Sequence, residues 1–219
     1  MYPEIQTLGT PMSRNDWYRQ TTWSAANQAA FFAKLRRARN KAQYLRIQAL
    51  YLQEEHPEEA LKLLDAYFEV ADEDIDLALA WAQRADCGIA LGREQQVLQS
   101  FRECFRREQA FAGQRTNGYL SFGLWVARNR RTELYDEVLA VFAARERWPL
   151  FPDTRYRFNA VLALMADDCG NAKAASAYAR LALEAASATD SGLPRHPDLG
   201  LVRHRHDDVE ARLRDLAAA

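Results

Sequence analysis

Apolar residues recur at steps of three and four along nearly the whole chain, and nowhere do they alternate strictly over the length a strand would need. The first periodic run follows Ser24, a residue suited to capping a helix, and places Ala25, Ala29, Phe32 and Leu35 on one face. A second run, 41–54, stops at His56-Pro57. A third starts there, with Pro57 at a tolerated first-turn position and Glu58 and Glu59 at the positive end of the helix dipole. Helices of about 14 residues then alternate with short turns, broken by Gly92, by Asn129 to Arg131, and by Cys169-Gly170-Asn171. Pro149 and Pro152 punctuate the passage to the fourth pair, where Asp153 is the expected N-cap. Beyond Ala186 the stretch SATDSGLPRHPD is loop-like. Leu199 to about Leu216 closes the chain, with Val202, His206, Val209, Leu213 and Leu216 on one stripe. Residues 1–20, with Pro3, Gly9 and Pro11, carry no sustained period and are expected to form an extended arm whose Trp17 and Tyr18 dock on the body. The total is about ten helices in an all-α fold.

The helix pairs repeat. With Tyr44, Trp81, Tyr119 and Asn159 set equivalent, successive copies lie 37, 38 and 40 residues apart by subtraction. Four further columns then align: Ile47, Arg84, Phe122, Leu162; Gln48, Ala85, Gly123, Ala163; Ala60, Val97, Tyr135, Ala175; and Tyr67, Cys104, Phe142, Ala182. A small residue on the first helix opposite a small one on the second lets the two axes approach closely. That rule holds cleanly in the fourth pair, whereas Gln48, Val97 and Tyr135 break it elsewhere.

These columns resemble the tetratricopeptide repeat, carried best by Tyr44, Ile47, Tyr51, Ala60, Leu64 and Tyr67 in the first copy. Trp81, Ala85, Gly88, Gly92 and Phe101 carry it in the second, and Tyr119, Phe122, Gly123, Val126 and Leu139 in the third. The resemblance implies a right-handed α-α superhelix of about four helix pairs, at about 41–74, 78–111, 116–149 and 156–189. A first helix and a C-terminal helix at about 199–217 would cap a single helical-repeat domain over 21–219. It also implies that the first helix of each pair lines a concave groove, with Arg46, Gln83, Asp86, Asn117, Ser121, Leu124, Arg157 and Asp168 facing it. A mixed polar groove of this kind suits an extended peptide or partner helix held by side-chain hydrogen bonds and Arg-carboxylate pairs. One subset of the family clamps acidic C-terminal tails with Lys and Asn. At those places this chain has Leu45 and Ala49, so that activity is disfavoured.

Composition narrows the field. The 219 residues carry 29 Lys plus Arg against 30 Asp plus Glu, a net charge of -1 that gives no whole-protein pull toward nucleic acid or acidic membranes. With 48% hydrophobic and 27% charged residues the chain is globular, and its 9 Gly and 7 Pro are few for an all-β protein. Cys87, Cys104 and Cys169 are widely spaced in apolar helical settings and are expected to be reduced structural thiols. No apolar stretch suits a signal peptide or a membrane span, so the expected compartment is the cytoplasm.

Charge is nevertheless blocked along the chain. Lys34 to Arg46 holds Lys34, Arg36, Arg37, Arg39, Lys41 and Arg46 without one acid, whereas Glu54 to Asp76 holds ten acids and one base, Lys62. The two blocks are expected to neutralise each other across adjacent repeats or to suit the helix dipoles, which leaves nucleic acid an unlikely partner. Phosphate gripping by the basic block is the runner-up. His56, His196, His204 and His206 make no metal spacing, and neither GxSxG, a P-loop nor GxGxxG occurs, so no metal, cofactor or catalytic residue is expected. The function expected is a non-catalytic protein-binding module. A bacterial accessory or immunity-type inhibitor acting through the acidic block is a further alternative, and the last helix is an end cap or a homodimer contact.

Overall fold

A computed structural model of the chain describes residues 16–71, 76–111, 113–145 and 151–218. It is all-helical over these residues, with the order α1 (Ala25–Leu35), α2 (Lys41–Leu52), α3 (Pro57–Val70), α4 (Leu77–Ala90), α5 (Glu94–Ala110), α6 (Gly118–Arg128), α7 (Tyr135–Ala143), α8 (Pro152–Asp168), α9 (Ala172–Ala186) and α10 (Asp207–Ala218). A single 3-10 turn, Thr132–Leu134, leads into α7. No strand occurs among the described residues, and none of their helices is long and apolar enough to cross a membrane. Two compact units divide at Thr116 and Asn117, the first holding α1 to α5 and the second α6 to α10.

Within the units, helices pair as hairpins: α2 on α3, α4 on α5, α6 on α7 and α8 on α9. Three of the four hairpins turn in the same way. Gly92, Arg130 and Gly170 each adopt a left-handed conformation, with φ of 67, 50 and 74°. In each turn that residue's N–H reaches the carbonyl three residues back (Ile89, Ala127, Asp167), while the next N–H reaches the carbonyl five residues back (Gly88, Val126, Ala166). This double hydrogen bond satisfies carbonyls that the helix end would otherwise orphan. The three turns lie 38 and 40 residues apart by subtraction of the residue numbers, the intervals found in the sequence columns. The first hairpin differs, closing with His56 N–H on the Leu52 carbonyl and restarting at Pro57.

Three of the five columns are core, while Tyr44, Trp81, Ile47, Arg84 and Leu162 of the other two are half-buried. Gln48, Ala85 and Ala163 are buried together with Gly123, as are Ala60, Val97, Tyr135, Ala175, Tyr67, Cys104, Phe142 and Ala182. Close approach is tightest at Gly123, where an added Cβ would stand 2.9 Å from the Phe142 ring and 3.1 Å from Val161. At Gly88 it would stand 3.0 Å from Val97. A glycine there forgoes about 1 kcal/mol of helix propensity relative to alanine, and the packing it admits offsets that cost.

Several local expectations change. On α1 the buried residues are Phe31 and Leu35, while Ala25, Ala29 and Phe32 are exposed. The arm decides this, because Trp17 and Trp23 pack their rings on Phe31 at 5.4 and 5.6 Å. Ser24 does cap α1, accepting from the Asn27 N–H at 3.2 Å. Asp153 is not a cap: Pro152 takes the first position of α8, and Thr154 Oγ1 accepts from the Phe151 N–H at 3.2 Å, so Asp153 sits in the first turn. Residues 199–206 are not helical. α10 begins only at Asp207, where three acids in its first turn favour the positive helix end, and Val209 and Leu213 are its buried residues. Cys87 and Cys104 are buried as expected, but Cys169 is exposed at the end of α8. Pro149 lies outside the described residues.

Candidate functional site

In the second unit, α6 presents Asn117, Ser121, Leu124 and Arg128 at intervals of four, three and four, so that they share one side of the helix. Asn117, Ser121 and Leu124 are half-buried and Arg128 is exposed. Arg157, half-buried on α8, crosses to this stripe and donates from Nη2 to Ser121 Oγ at 2.9 Å. The hydroxyl is its sole hydrogen-bond partner among the described residues, so this guanidinium stands beside a stripe of polar side chains without a carboxylate on its donors. One turn earlier on α8, burial pushes the Asp153 carboxyl above its ordinary value, against the pull of Arg157 and His204. Arg128 grips both carboxylate oxygens of Asp208 at 3.0 Å and lies 3.3 Å from His206 Nδ1. That nitrogen accepts from the guanidinium, which places the imidazole proton on Nε2. Burial and the Arg128 charge hold the His206 imidazolium below its ordinary pKa.

Asp168, expected on the same face, is instead the centre of a structural network. Its carboxylate is 8% exposed, accepts from the Tyr135 hydroxyl at 2.6 Å, and pairs with Arg212 of α10. Arg212 Nε also donates to Asp167 at 2.9 Å, and Arg130 approaches Asp168 at 3.5 Å. The cluster ties α7 and α10 to the end of α8. Burial, and then the bond to Asp168, raise the Tyr135 pKa well above its ordinary value, so the phenol stays a proton donor.

In the first unit the expected residues are enclosed. Arg46 is 8% exposed and bonds Asp76 from Nε at 3.0 Å and Nη2 at 2.8 Å. Gln83 is 1% exposed and, among the described residues, neither of its amide atoms has a hydrogen bond. Asp86 is half-buried. The side chain that does hold a chain segment is Gln48. Its Oε1 accepts from the Gln20 N–H at 3.0 Å and its Nε2 donates to the Gln20 carbonyl at 2.7 Å, so one buried amide pairs with both backbone groups of one residue. Trp17 and Tyr18 of the same segment stack on Tyr44 at 4.9 and 4.7 Å, the docking foreseen for the arm. Gln48 was visible in the sequence only as an exception in the small-residue column, and a long amide in that place was the available signal.

The opposed charge blocks do not neutralise each other as expected. Glu58 pairs with Arg93, Asp65 with Arg84 and Glu59 with Lys62, and among the described residues only Arg46 of the basic block meets an acid, Asp76. Neutralisation between repeats does occur, but it uses arginines of α4 and the turn before α5. Among the described residues no group of three His, Cys, Asp or Glu side chains is placed to hold a metal ion. Compared with known proteins, the chain matches no family model, no curated protein and no solved structure.

Proposed function

We propose that the chain is a non-catalytic, tetratricopeptide-like binding module that captures extended segments of partner proteins on the first helices of its hairpins, in the cytoplasm. One observation carries this reading: Gln48 of α2 already holds a chain segment by its peptide group, with both of its amide atoms used on the backbone of Gln20, although the described part of that segment is not the extended arm expected but follows a turn closed by the Arg19 N–H on the Asp16 carbonyl. Main-chain pairing of this kind fixes a peptide irrespective of its side chains, and neighbouring pockets then select among sequences. The second unit carries a candidate surface of its own, the α6 stripe with Arg157. Arg157 is half-buried with a neutral hydroxyl on one nitrogen, and a guanidinium so placed gains a bidentate, charge-assisted pair from a peptide carboxylate. Leu124 offers an apolar contact one turn along the same face.

The test is selection of a displayed random-peptide library on the full chain, followed by affinities for Leu124→Asp and Arg157→Ala. Peptides enriched in acidic residues should be recovered, and each substitution should weaken them about tenfold or more, the loss of one charge-assisted bond or one apolar anchor. Failure to enrich any extended peptide, or peptides indifferent to both substitutions, would overturn the reading.

A further inference from the structure

We propose that the connection between α1 and α2 is a docking surface for the phosphate backbone of a nucleic acid. Lys34, Arg36, Arg37, Arg39 and Lys41 are all exposed within eight residues, and no carboxylate among the described residues pairs with any of them. Of the described acids near them, Asp16 is committed to Arg19 and Asp76 to Arg46. Glu54 and Glu55 lie beyond the far end of α2, whose 12 residues put about 18 Å between the two ends. That distance exceeds the screening length of about 8 Å at physiological salt, so the basic end acts as a separate positive surface.

The connection is shaped, not loose. Arg37 N–H bonds the Lys34 carbonyl, Ala38 N–H bonds the Leu35 carbonyl, and Asn40 caps α2 through the Gln43 N–H. Lys41 then opens α2 with no acid in the first turn, an arrangement unfavourable to the helix dipole that an incoming anion would relieve. Three of the five cations are arginines, whose planar fork matches phosphate oxygens. Beside them Trp17, Tyr18 and Tyr44 form a half-exposed aromatic cluster, with the Lys34 ammonium 5.9 Å from the Trp17 ring. An anionic membrane is a poorer fit, because the outward face of α1 offers one large apolar side chain, Phe32, between alanines. The cations project from a helix end and a turn, not into a cleft that would enclose an acidic peptide.

Fluorescence anisotropy with the full chain tests this, using a labelled DNA duplex and a labelled RNA single strand of about 20 units as the two sources of phosphate. Five phosphate contacts give a slope of log affinity on log salt of about -4.5 for the duplex, roughly a 500-fold loss between about 50 and 200 mM salt. For the single strand the slope is about -3.5, roughly a 130-fold loss. The Arg36→Gln/Arg39→Gln double variant should flatten the duplex loss to about 40-fold, and Lys41→Gln alone should lower the slope by about 0.9 while leaving the helix folded by circular dichroism. Lys173→Gln, an exposed cation of the second unit, should change nothing. Absence of binding to both nucleic acids, an unchanged slope in the double variant, or preference for polyglutamate or phosphatidylserine vesicles over both would overturn the proposal.

Discussion

Alanine at Gly92 or Gly170 isolates the cost of a left-handed turn residue from any packing effect, because a Cβ added at either position meets nothing within 4 Å. A side chain in that conformation costs about 1–2 kcal/mol, and the smaller entropy of the unfolded alanine chain returns about 0.4–1 kcal/mol. Each substitution should therefore destabilise its unit by about 1 kcal/mol. Arg130 occupies the equivalent turn of the α6–α7 hairpin at φ 50°, so the sign reverses there. Arg130→Gly should gain about 0.5–1 kcal/mol after the entropy of glycine is subtracted. The Arg130–Asp168 contact, with its arginine 69% exposed at 3.5 Å, contributes about 0–1 kcal/mol, as much as the gain itself, so it has to be subtracted. Arg130→Ala removes the same charge but keeps the strained backbone, so the glycine variant measured against the alanine variant reads the backbone alone. Urea unfolding followed by far-ultraviolet circular dichroism gives the differences. A glycine variant no more stable than Arg130→Ala, or a Gly92→Ala protein as stable as the parent, would refute the account of the three turns as one motif under one constraint.

Two further outcomes concern the cysteines and His206. In the native protein a disulfide-exchange reagent should titrate Cys169 quickly, while Cys87 and Cys104 react only on unfolding. Burial pushes the Cys87 thiol up to about 12 and both residues are enclosed, so three fast thiols would contradict the packing of α4 and α5. His206 has a folded pKa below its ordinary 6.5, so the folded chain binds fewer protons than the unfolded one and stability falls as pH drops below about 6.5. His206→Gln should lose less stability than the parent between about pH 7.5 and 5.5, and equal losses would remove the histidine from the contact with Arg128 and Asp208.

Much of the helix map was legible because chain breakers are local. Ser24, Pro57, Gly92 and Gly170 end or begin helices through their own backbone preferences, and those preferences survive any tertiary context. The face of α1 was not legible. Five alanines make its two sides nearly equal in hydrophobicity, and the choice falls to tryptophans of the preceding segment. The start of α10 was misplaced because Val202 and His206 continue its apolar stripe, while Gly200 at φ 69° and the acids at 207 and 208 set the real boundary. For the site, the repeat resemblance implied that Ser121 and Arg157, 36 residues apart, face one groove, and the two do bond. Spacing could not say how deep a residue lies. Arg46 and Gln83 fall at the expected register but are covered by neighbours from elsewhere in the chain, and Asp168 is taken by Arg212, a residue 44 positions away.

The pairing of Gln48 with Gln20 has a consequence for any measured affinity at that place. A segment joined to its own site through one intervening helix is present at an effective concentration in the millimolar range, so an outside peptide with the same contacts competes at a disadvantage set by the tether, not by chemistry. The same contacts made by the segment of a second copy would be equal in energy, since every bond is reproduced. The first hairpin is thus a self-occupied receptor, and its occupancy is governed by chain connectivity.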